Sequence, residues 1–171
     1  TLGRYVRYRQ HRTRVLCADA ERSVFFAYYR TGDASLTLDH GSRIEGIGRP
    51  RVEASFLPSV IDAMCKVPDA LSLAAMHYLA RRLGRRVGGS SGTNLIGALL
   101  AARRMVAAGE SGSVVAILCD GGERYAGTYY NEAWLESQGF ALEPLIEAVA
   151  ACAERGAPLP DDLPSVGLQE A

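Results

Sequence analysis

The chain predicts an α/β fold, a partial parallel sheet flanked by helices. Three observations carry that expectation. Short apolar stretches alternate with segments whose apolar residues recur at helical spacing, the order that builds parallel sheets. A glycine-rich run, Gly88-Gly89-Ser90-Ser91-Gly92-Thr93-Asn94, leads directly into an apolar, Ala-rich helical pattern. Only about three strands are visible, fewer than a parallel sheet covered on both faces ordinarily uses, so the chain reads as part of an α/β unit.

In chain order, Leu2 to Gln10 reads as a short helix and Arg14 to Asp19 as a buried strand. Ser23 is placed to cap a brief helix through Val24, Phe25, Phe26 and Tyr28. Residues 31–48 carry Gly32, Asp33, Asp39, Gly41, Gly46 and Gly48 and read as loop. Phe56 to Met64 fits a helix begun by Pro58, followed by a short extended stretch over Cys65 to Pro68. From Asp69, the spacing of Leu71, Ala74, Ala75, Tyr78, Leu79 and Leu83 predicts a helix, and Leu95 to Ala108 predicts the next. Ser113 to Cys119 is the strongest strand: β-branched, apolar and bounded by Gly112 and Asp120. Asn131 to Gln138 and Leu142 to Arg155 read as helices. The stretch from 156 to 171, with Pro158, Pro160 and Pro164, reads as a flexible tail.

Composition narrows the function classes. The chain has 171 residues, is 48% hydrophobic and carries no formal net charge, which fits one soluble globular core. A neutral balance gives no general case for nucleic acid or a membrane surface. Arg4, Arg7, Arg9, Arg12 and Arg14 interleave with Tyr5 and Tyr8, but this reads as a solvated helix face and no nucleic acid is expected. No apolar run approaches the roughly 18–20 residues of a membrane span, and no signal peptide opens the chain. Cys17, Cys65, Cys119 and Cys152 form no CxxC pair or disulfide framework, so a cytoplasmic setting is expected. His11, His40 and His77 show no metal-ligand spacing, and no metal is expected. Lys66 is the only lysine among the 19 Lys and Arg residues, hence the only amine side chain available for Schiff-base chemistry.

A glycine-rich run that opens a helix gathers free backbone N–H groups and the positive end of the helix dipole in one place. Such a site holds a phosphate or a polar edge of a cofactor; the plainer alternative is a strand-to-helix turn with an N-cap.

Three segments in order carry a resemblance. Ser42-Arg43-Ile44-Glu45-Gly46-Ile47-Gly48 looks like an E/Q-G-I-G loop, and Gly88 to Thr93 like a G-x-S-[SA]-G run. Ile117 to Tyr125 looks like a strand followed by P-[DS]-S-G-E-R-Y. Together they resemble the cysteine synthase and cystathionine β-synthase family, the fold-type II (tryptophan synthase β-like) enzymes that use pyridoxal phosphate (PLP). The resemblance covers roughly residues 1–135 and only the C-terminal half of a family member. It implies that residues 1–155 form the C-terminal, large-domain part of such an enzyme.

By that resemblance, Ser90 hydrogen-bonds the pyridine nitrogen of PLP. A neutral hydroxyl there, in place of a carboxylate, makes a shallower electron sink suited to loss of a β-substituent. The loop with Gly46 and Gly48 is implied to line the substrate side, since glycines let backbone approach closely. Asp120 follows the strand, with Cys119 where the family usually has proline. The family's Schiff-base lysine, asparagine-containing loop and G-T-G-G-T phosphate loop do not appear. Lys66 lies in a segment the family does not use for catalysis, so no catalytic residue is assigned and the isolated chain is expected to be inactive. The implied activity of the intact enzyme is β-replacement or β-elimination on cysteine or O-acylated serine through an aminoacrylate. That describes a cysteine synthase or a cysteine desulfhydrase of the kind found in a bacterial subgroup. The implied partners are a small amino-acid substrate, the missing N-terminal half and, for the intact enzyme, a second copy in a homodimer. The alternative is a non-catalytic, truncated paralogue that serves as an interaction module.

Overall fold

The computed structural model describes residues 1–160 and 164–166. The N-terminal helix α1 (Leu2–Tyr8) sits on the 3-10 turn Pro58–Val60, so closely that a Cβ on Gly3 would lie 2.6 Å from the Val60 carbonyl oxygen. Arg7 Nη2 donates to Asp62 Oδ1 at 2.7 Å, and Val15 N donates to Asp62 Oδ2 at 2.6 Å. Asp62 thus ties the basic helix to the sheet, and Arg7 is committed to the fold.

The sheet order is β1-β2-β3. Strand β1 (Leu16–Ala20) runs parallel to β2 (Ala63–Val67), in register from Leu16 opposite Ala63 to Ala20 opposite Val67. Strand β3 (Ser165–Val166) adds antiparallel to the other edge of β2. Strand β2 is therefore central, and its Met64, Cys65 and Val67 are fully buried. Between β1 and β2 lies α2 (Phe25–Thr31); its N-cap is Val24 and not the expected Ser23, whose hydroxyl accepts from Phe25 N at 3.3 Å in a local turn one residue earlier. Asp19 at the end of β1 accepts from Phe26 N at 2.9 Å.

The long helices α3 (Asp69–Leu83) and α4 (Gly89–Ala107) pack against each other, with α6 (Glu143–Arg155) on α3 and α4 also on β1. The short α5 (Glu132–Ser137) is capped by Asn131, whose Oδ1 accepts from Trp134 N at 2.9 Å. One apolar cluster joins Leu73 and Met76 of α3 to Ile44, Tyr125, Tyr129 and Phe140. A second joins Cys65 and Val67 of the sheet to Ile96, Val149 and Cys152.

Four elements depart from the sequence reading. The helix expected over Phe56 to Met64 is only the turn Pro58–Val60, because Ala63 and Met64 are the buried start of β2. Helix α4 begins at Gly89, six residues before Leu95, so most of the glycine-rich run is helix and not loop. Packing is the reason: a Cβ on Gly92 would meet the Ser72 carbonyl oxygen of α3 at 2.0 Å, and one on Gly97 would meet Ala18 Cβ of β1 at 3.0 Å. The third is Ser113 to Cys119, which is not a strand. Its side chains lie open, with Val115 89% and Ile117 60% exposed. A strand needs a neighbour for its backbone groups, and among the described residues this one has none. The fourth is the expected flexible tail, which falls partly on residues 161–163 and 167–171, outside those described. Of the described ones, Leu159 is buried in the second cluster and Ser165–Val166 pairs with β2. No helix among the described residues is long and apolar enough to cross a membrane.

On α3, His77 Nε2 lies 2.8 Å from the Tyr129 carbonyl oxygen, which makes Nε2 the donor, and its ring meets Tyr130 edge-on. Burial lowers its pKa, and Arg81 pushes the same way against the opposing pull of the Tyr129 carbonyl and Glu143. A histidine whose pKa is depressed on folding binds protons more readily when unfolded, so its contribution is full above the unfolded pKa of about 6.5 and lost as pH falls through the folded value. Urea midpoints are therefore expected to fall between pH 7 and pH 5, and His77→Gln to flatten that slope. An unchanged slope in the variant removes His77 as its source.

Candidate functional site

The site assembles where α4 begins. Gly88 takes the N-cap position with extended backbone, Gly89 opens the helix, and Ser90 is its second residue. Among the described residues the Ser90 hydroxyl makes no hydrogen bond. Its neighbours are committed: Ser91 Oγ accepts from Cys119 N at 3.0 Å, and Thr93 Oγ1 donates to Ser72 Oγ at 2.8 Å. Asn94 Nδ2 donates to the Ile117 carbonyl at 3.0 Å. Ser91 and Asn94 thus hold the end of the 113–119 segment against the first turns of α4.

The 42–48 loop lies over the same point. A Cβ on Gly89 would come within 3.0 Å of Ile44 Cγ2. Asp69, fully buried at the first position of α3, accepts from Ser42 Oγ at 2.7 Å and from Arg43 N at 2.8 Å. Arg43 also places its guanidinium 3.9 Å over the Phe140 ring. Tyr129 OH accepts from Glu45 N and donates to the Arg43 carbonyl, both at 2.8 Å. Burial is the main cause of the raised Tyr129 pKa, so its hydroxyl keeps the proton it donates. Arg124 pairs with Glu45 across the mouth of the loop.

Gly46 and Gly48 both have positive φ, +88° and +76°. A Cβ at Gly46 would meet nothing, whereas one at Gly48 would strike Ser42 Cβ at 2.4 Å. Gly46 therefore faces open space, and Gly48 closes the loop on itself. The structure brings the Gly46 loop and the Ser90 turn together through Ile44, Gly89 and Tyr129.

Asp120 completes this side. Its Oδ2 accepts from Tyr125 OH at 2.6 Å, its carbonyl accepts from Gly88 N at 3.0 Å, and a Cβ on Gly88 would lie 1.8 Å from Oδ1. A carboxylate thus sits at the helix start, where a bound anion would otherwise be stabilised. Of the two uses open to the glycine run, a phosphate is disfavoured by this charge and a polar ring edge is favoured. The residues present fit the pyridine edge of PLP in that respect: a hydroxyl with no hydrogen bond among the described residues, and a loop packed alongside.

Lys66 is away from this chemistry, its Nζ reaching the Ser23 carbonyl at 3.5 Å beside β1 and α2. Burial pushes the Cys17 and Cys65 thiols up to about 12, which leaves them inert. Sequence reasoning missed the anchoring roles of Asp69, Tyr125 and Tyr129. An aspartate immediately after a proline at a helix start was the available signal for Asp69.

Fold and site together define an α/β unit in which a glycine-opened helix presents a hydroxyl beside a pinned loop. Residues 1–120 match the family described as pyridoxal-phosphate dependent enzyme, and the chain belongs to that family. Over 150 residues it is 53% identical to L-cysteine desulfhydrase Cds1 of Mycobacterium tuberculosis (strain ATCC 25177 / H37Ra), covering 88% of this chain and 40% of that protein. It is 38% identical over 104 residues to cystathionine beta-synthase of Apis mellifera, covering 61% of this chain and 20% of that one. A solved structure of an O-ureido-L-serine synthase mutant bound to O-ureido-L-serine matches with a TM-score of 0.54 at 23% identity, over 82% of this chain and 43% of that chain. That likeness shows the fold, a fold-type II one. The chain spans about two fifths or less of the length of the curated relatives it matches, with 40% the share of the desulfhydrase and 34% that of cysteine synthase 1 of Emericella nidulans (strain FGSC A4 / ATCC 38163 / CBS 112.46 / NRRL 194 / M139). PLP is the cofactor of this family.

Proposed function

We propose that this chain is the part of a PLP-dependent enzyme that seats the pyridine edge of the cofactor, and that the assembled enzyme acts as a cysteine desulfhydrase, eliminating sulfide from cysteine. The observation that carries the site is the unpartnered Ser90 hydroxyl at the start of α4. The similarity to L-cysteine desulfhydrase at 53% identity favours β-elimination over the β-replacement of a cysteine synthase.

When bound, PLP supplies the electron sink that permits loss of a β-substituent from an amino acid. The chain's own residues orient and enclose. Ser90 would hold the ring nitrogen by donating its hydroxyl proton to it. Gly88 and Gly89 let Asp120 and the 42–48 loop pack closely on the helix start. The 42–48 loop, held by Asp69 and Tyr129, covers the substrate side, with Gly46 toward open space. The Schiff-base lysine comes from the remaining part of the fold, so the isolated chain is inactive. Turnover by the isolated chain that disappears in Lys66→Ala would overturn this.

The direct test is Ser90→Ala in the assembled enzyme. Losing one hydrogen bond of about 1.5 kcal/mol weakens cofactor affinity about tenfold. Equal affinity and an unchanged visible spectrum of bound cofactor in the variant count against the reading.

The exposed 113–118 segment supports the need for a further part of the fold. Val114, Val115, Ile117 and Leu118 are 40–89% exposed, and β1 has a strand on one edge only among the described residues. An exposed apolar β-branched run and a free sheet edge are each a place where a further segment can add. Amides 113–118 are expected to exchange with solvent within seconds in the isolated chain and to become protected when the remaining segment of the enzyme is supplied. Lack of protection in the active assembly would refute a strand there.

A further inference from the structure

We propose that the open groove at the C-terminal end of α3 is a binding site for a small oxyanion, a phosphate or a carboxylate, grasped by Arg85 and Arg86. None of the groove's lining residues belongs to the Ser90 turn or to the 42–48 loop, so the site is independent of the cofactor reading.

The groove has a volume of about 340 Å³ and lies between His77 and Arg81 of α3, the 84–86 turn and Tyr130. That is the lower end of the size range of small-molecule sites, and more than a bare ion fills. The chain makes the turn at Gly84, which takes φ +64° just past the helix and lets residues 85 and 86 fold back toward Tyr130. A Cβ on Gly84 would meet nothing, so the groove is open on that side.

Two of its arginines are in excess. Arg81 is held by both carboxylate oxygens of Glu143, at 3.2 and 3.0 Å, and Arg82 pairs with Glu154 at 3.8 Å. Both sit in the last turn of α3, where a cation also serves the helix's own field. Arg85 and Arg86 lie beyond that turn. Among the described residues the Arg85 side chain has no hydrogen bond or ion pair, and Arg86 has only its guanidinium 5.1 Å over the Tyr130 ring. Of the carboxylates, Glu143 is taken by Arg81, and Glu123 is the other whose field reaches Tyr130. At neutral pH His77 adds no charge, since burial lowers its pKa and its Nε2 is turned to the Tyr129 carbonyl. Two neighbouring guanidiniums without a carboxylate repel each other, and an oxyanion relieves that by accepting paired N–H bonds from their planar forks.

The walls are set before anything binds. Tyr130 OH donates to the Val87 carbonyl at 2.8 Å and accepts from Val87 N at 3.0 Å. His77 is held by Tyr129 and Arg81 by Glu143. Only Arg85 and Arg86 have to be ordered, which limits the entropy cost of binding. The uncharged surface of Ala80, Gly84 and Tyr130 leaves room for the body that carries the anion.

The test is calorimetric titration of the assembled enzyme, saturated with PLP so that the cofactor's own phosphate site is filled. Inorganic phosphate is the probe in one arm and succinate in the other, both at low ionic strength, where the attraction is least screened. The expected result is one site per chain for at least one of the two, and the arm that binds names the oxyanion. Arg85→Gln and Arg86→Gln each raise that Kd about tenfold. Arg82→Gln removes a charge outside the groove and leaves the Kd unchanged. Both groove arginines are exposed, so their variants melt with the wild type. Binding of neither anion overturns the proposal, as does a Kd that neither groove variant changes. Binding that Arg82→Gln weakens as much as the groove variants do overturns it too, since that is diffuse attraction to a basic surface, an adventitious ion only.

Discussion

Gly92→Ala is expected to cost about 3 kcal/mol of stability, at the upper end of overpacking effects, and to displace the start of α4. The added methyl group would stand 2.0 Å from the Ser72 carbonyl oxygen, 2.7 Å from Met76 N and 3.1 Å from Met76 Cβ. The first two are backbone atoms in the interior of α3 and cannot swing aside as a side chain would. Relief requires the two helices to separate, which loosens the Thr93–Ser72 hydrogen bond and opens the packing beside Leu73 and Met76. Because Ser90 lies half a turn before Gly92, the movement also shifts its hydroxyl. Denaturant melts read the stability loss, and cofactor titration of the assembled enzyme reads the displacement. Gly97→Ala is the control, since its nearest neighbour is a side-chain methyl at 3.0 Å and it lies two turns from Ser90. A Gly92→Ala protein as stable as wild type would show that the helix contact is looser than described.

Asp69→Ala is the second large effect, expected at about 3 kcal/mol through two lost charge-assisted hydrogen bonds. The carboxylate is wholly buried and accepts from Ser42 Oγ and Arg43 N, with Arg43 Nε a further 3.8 Å away. Its place at the first residue of α3 adds the favourable field of the helix start. Removing it leaves the Ser42 hydroxyl and the Arg43 N–H without their partner and frees the 42–48 loop from below, while Tyr129 still holds it at Glu45. Asp69→Asn retains one acceptor oxygen but turns an NH2 group toward one of the two donors, so about half of the loss is expected. Two readings are needed. Melting measures the stability, and amide exchange over residues 43–48 measures the loop. Loss of stability without faster exchange in that loop would mean that Asp69 serves α3 and not the site.

The features legible in the sequence are those with local causes. Asn131 caps α5, and Ser23 turns the chain just before α2, because a short polar side chain bonds its own neighbouring backbone. Helices α3 and α6 follow from apolar spacing, and Gly46 and Gly48 do occupy positive φ in the loop where the sequence placed them. The glycine run was likewise readable as the place where a helix opens, with Ser90 in its first turn.

Features set by distant neighbours were not legible. The glycines of the 88–92 run look like a flexible loop by propensity, yet Gly92 is helical because a carbonyl of α3 lies where its side chain would be. The 113–119 segment has every local mark of a strand, but strand hydrogen bonds need a second chain segment, and the described residues offer none. Ala63 and Met64 continue a helical pattern in sequence and become the centre of the sheet in space. Asp120 shows the same division at the site. Its residue type and its place before Gly121-Gly122 were plain in the sequence. That one oxygen is clamped by Tyr125 and the other left without a donor depends on three segments meeting. By itself, then, the sequence determined the α/β class and the PLP family, because these rest on local spacing and short motifs. Only the tertiary structure decided which carboxylate stands beside Gly88, which loop packs on Gly89 and which apolar segment is left uncovered, because each of these depends on residues far apart in the chain.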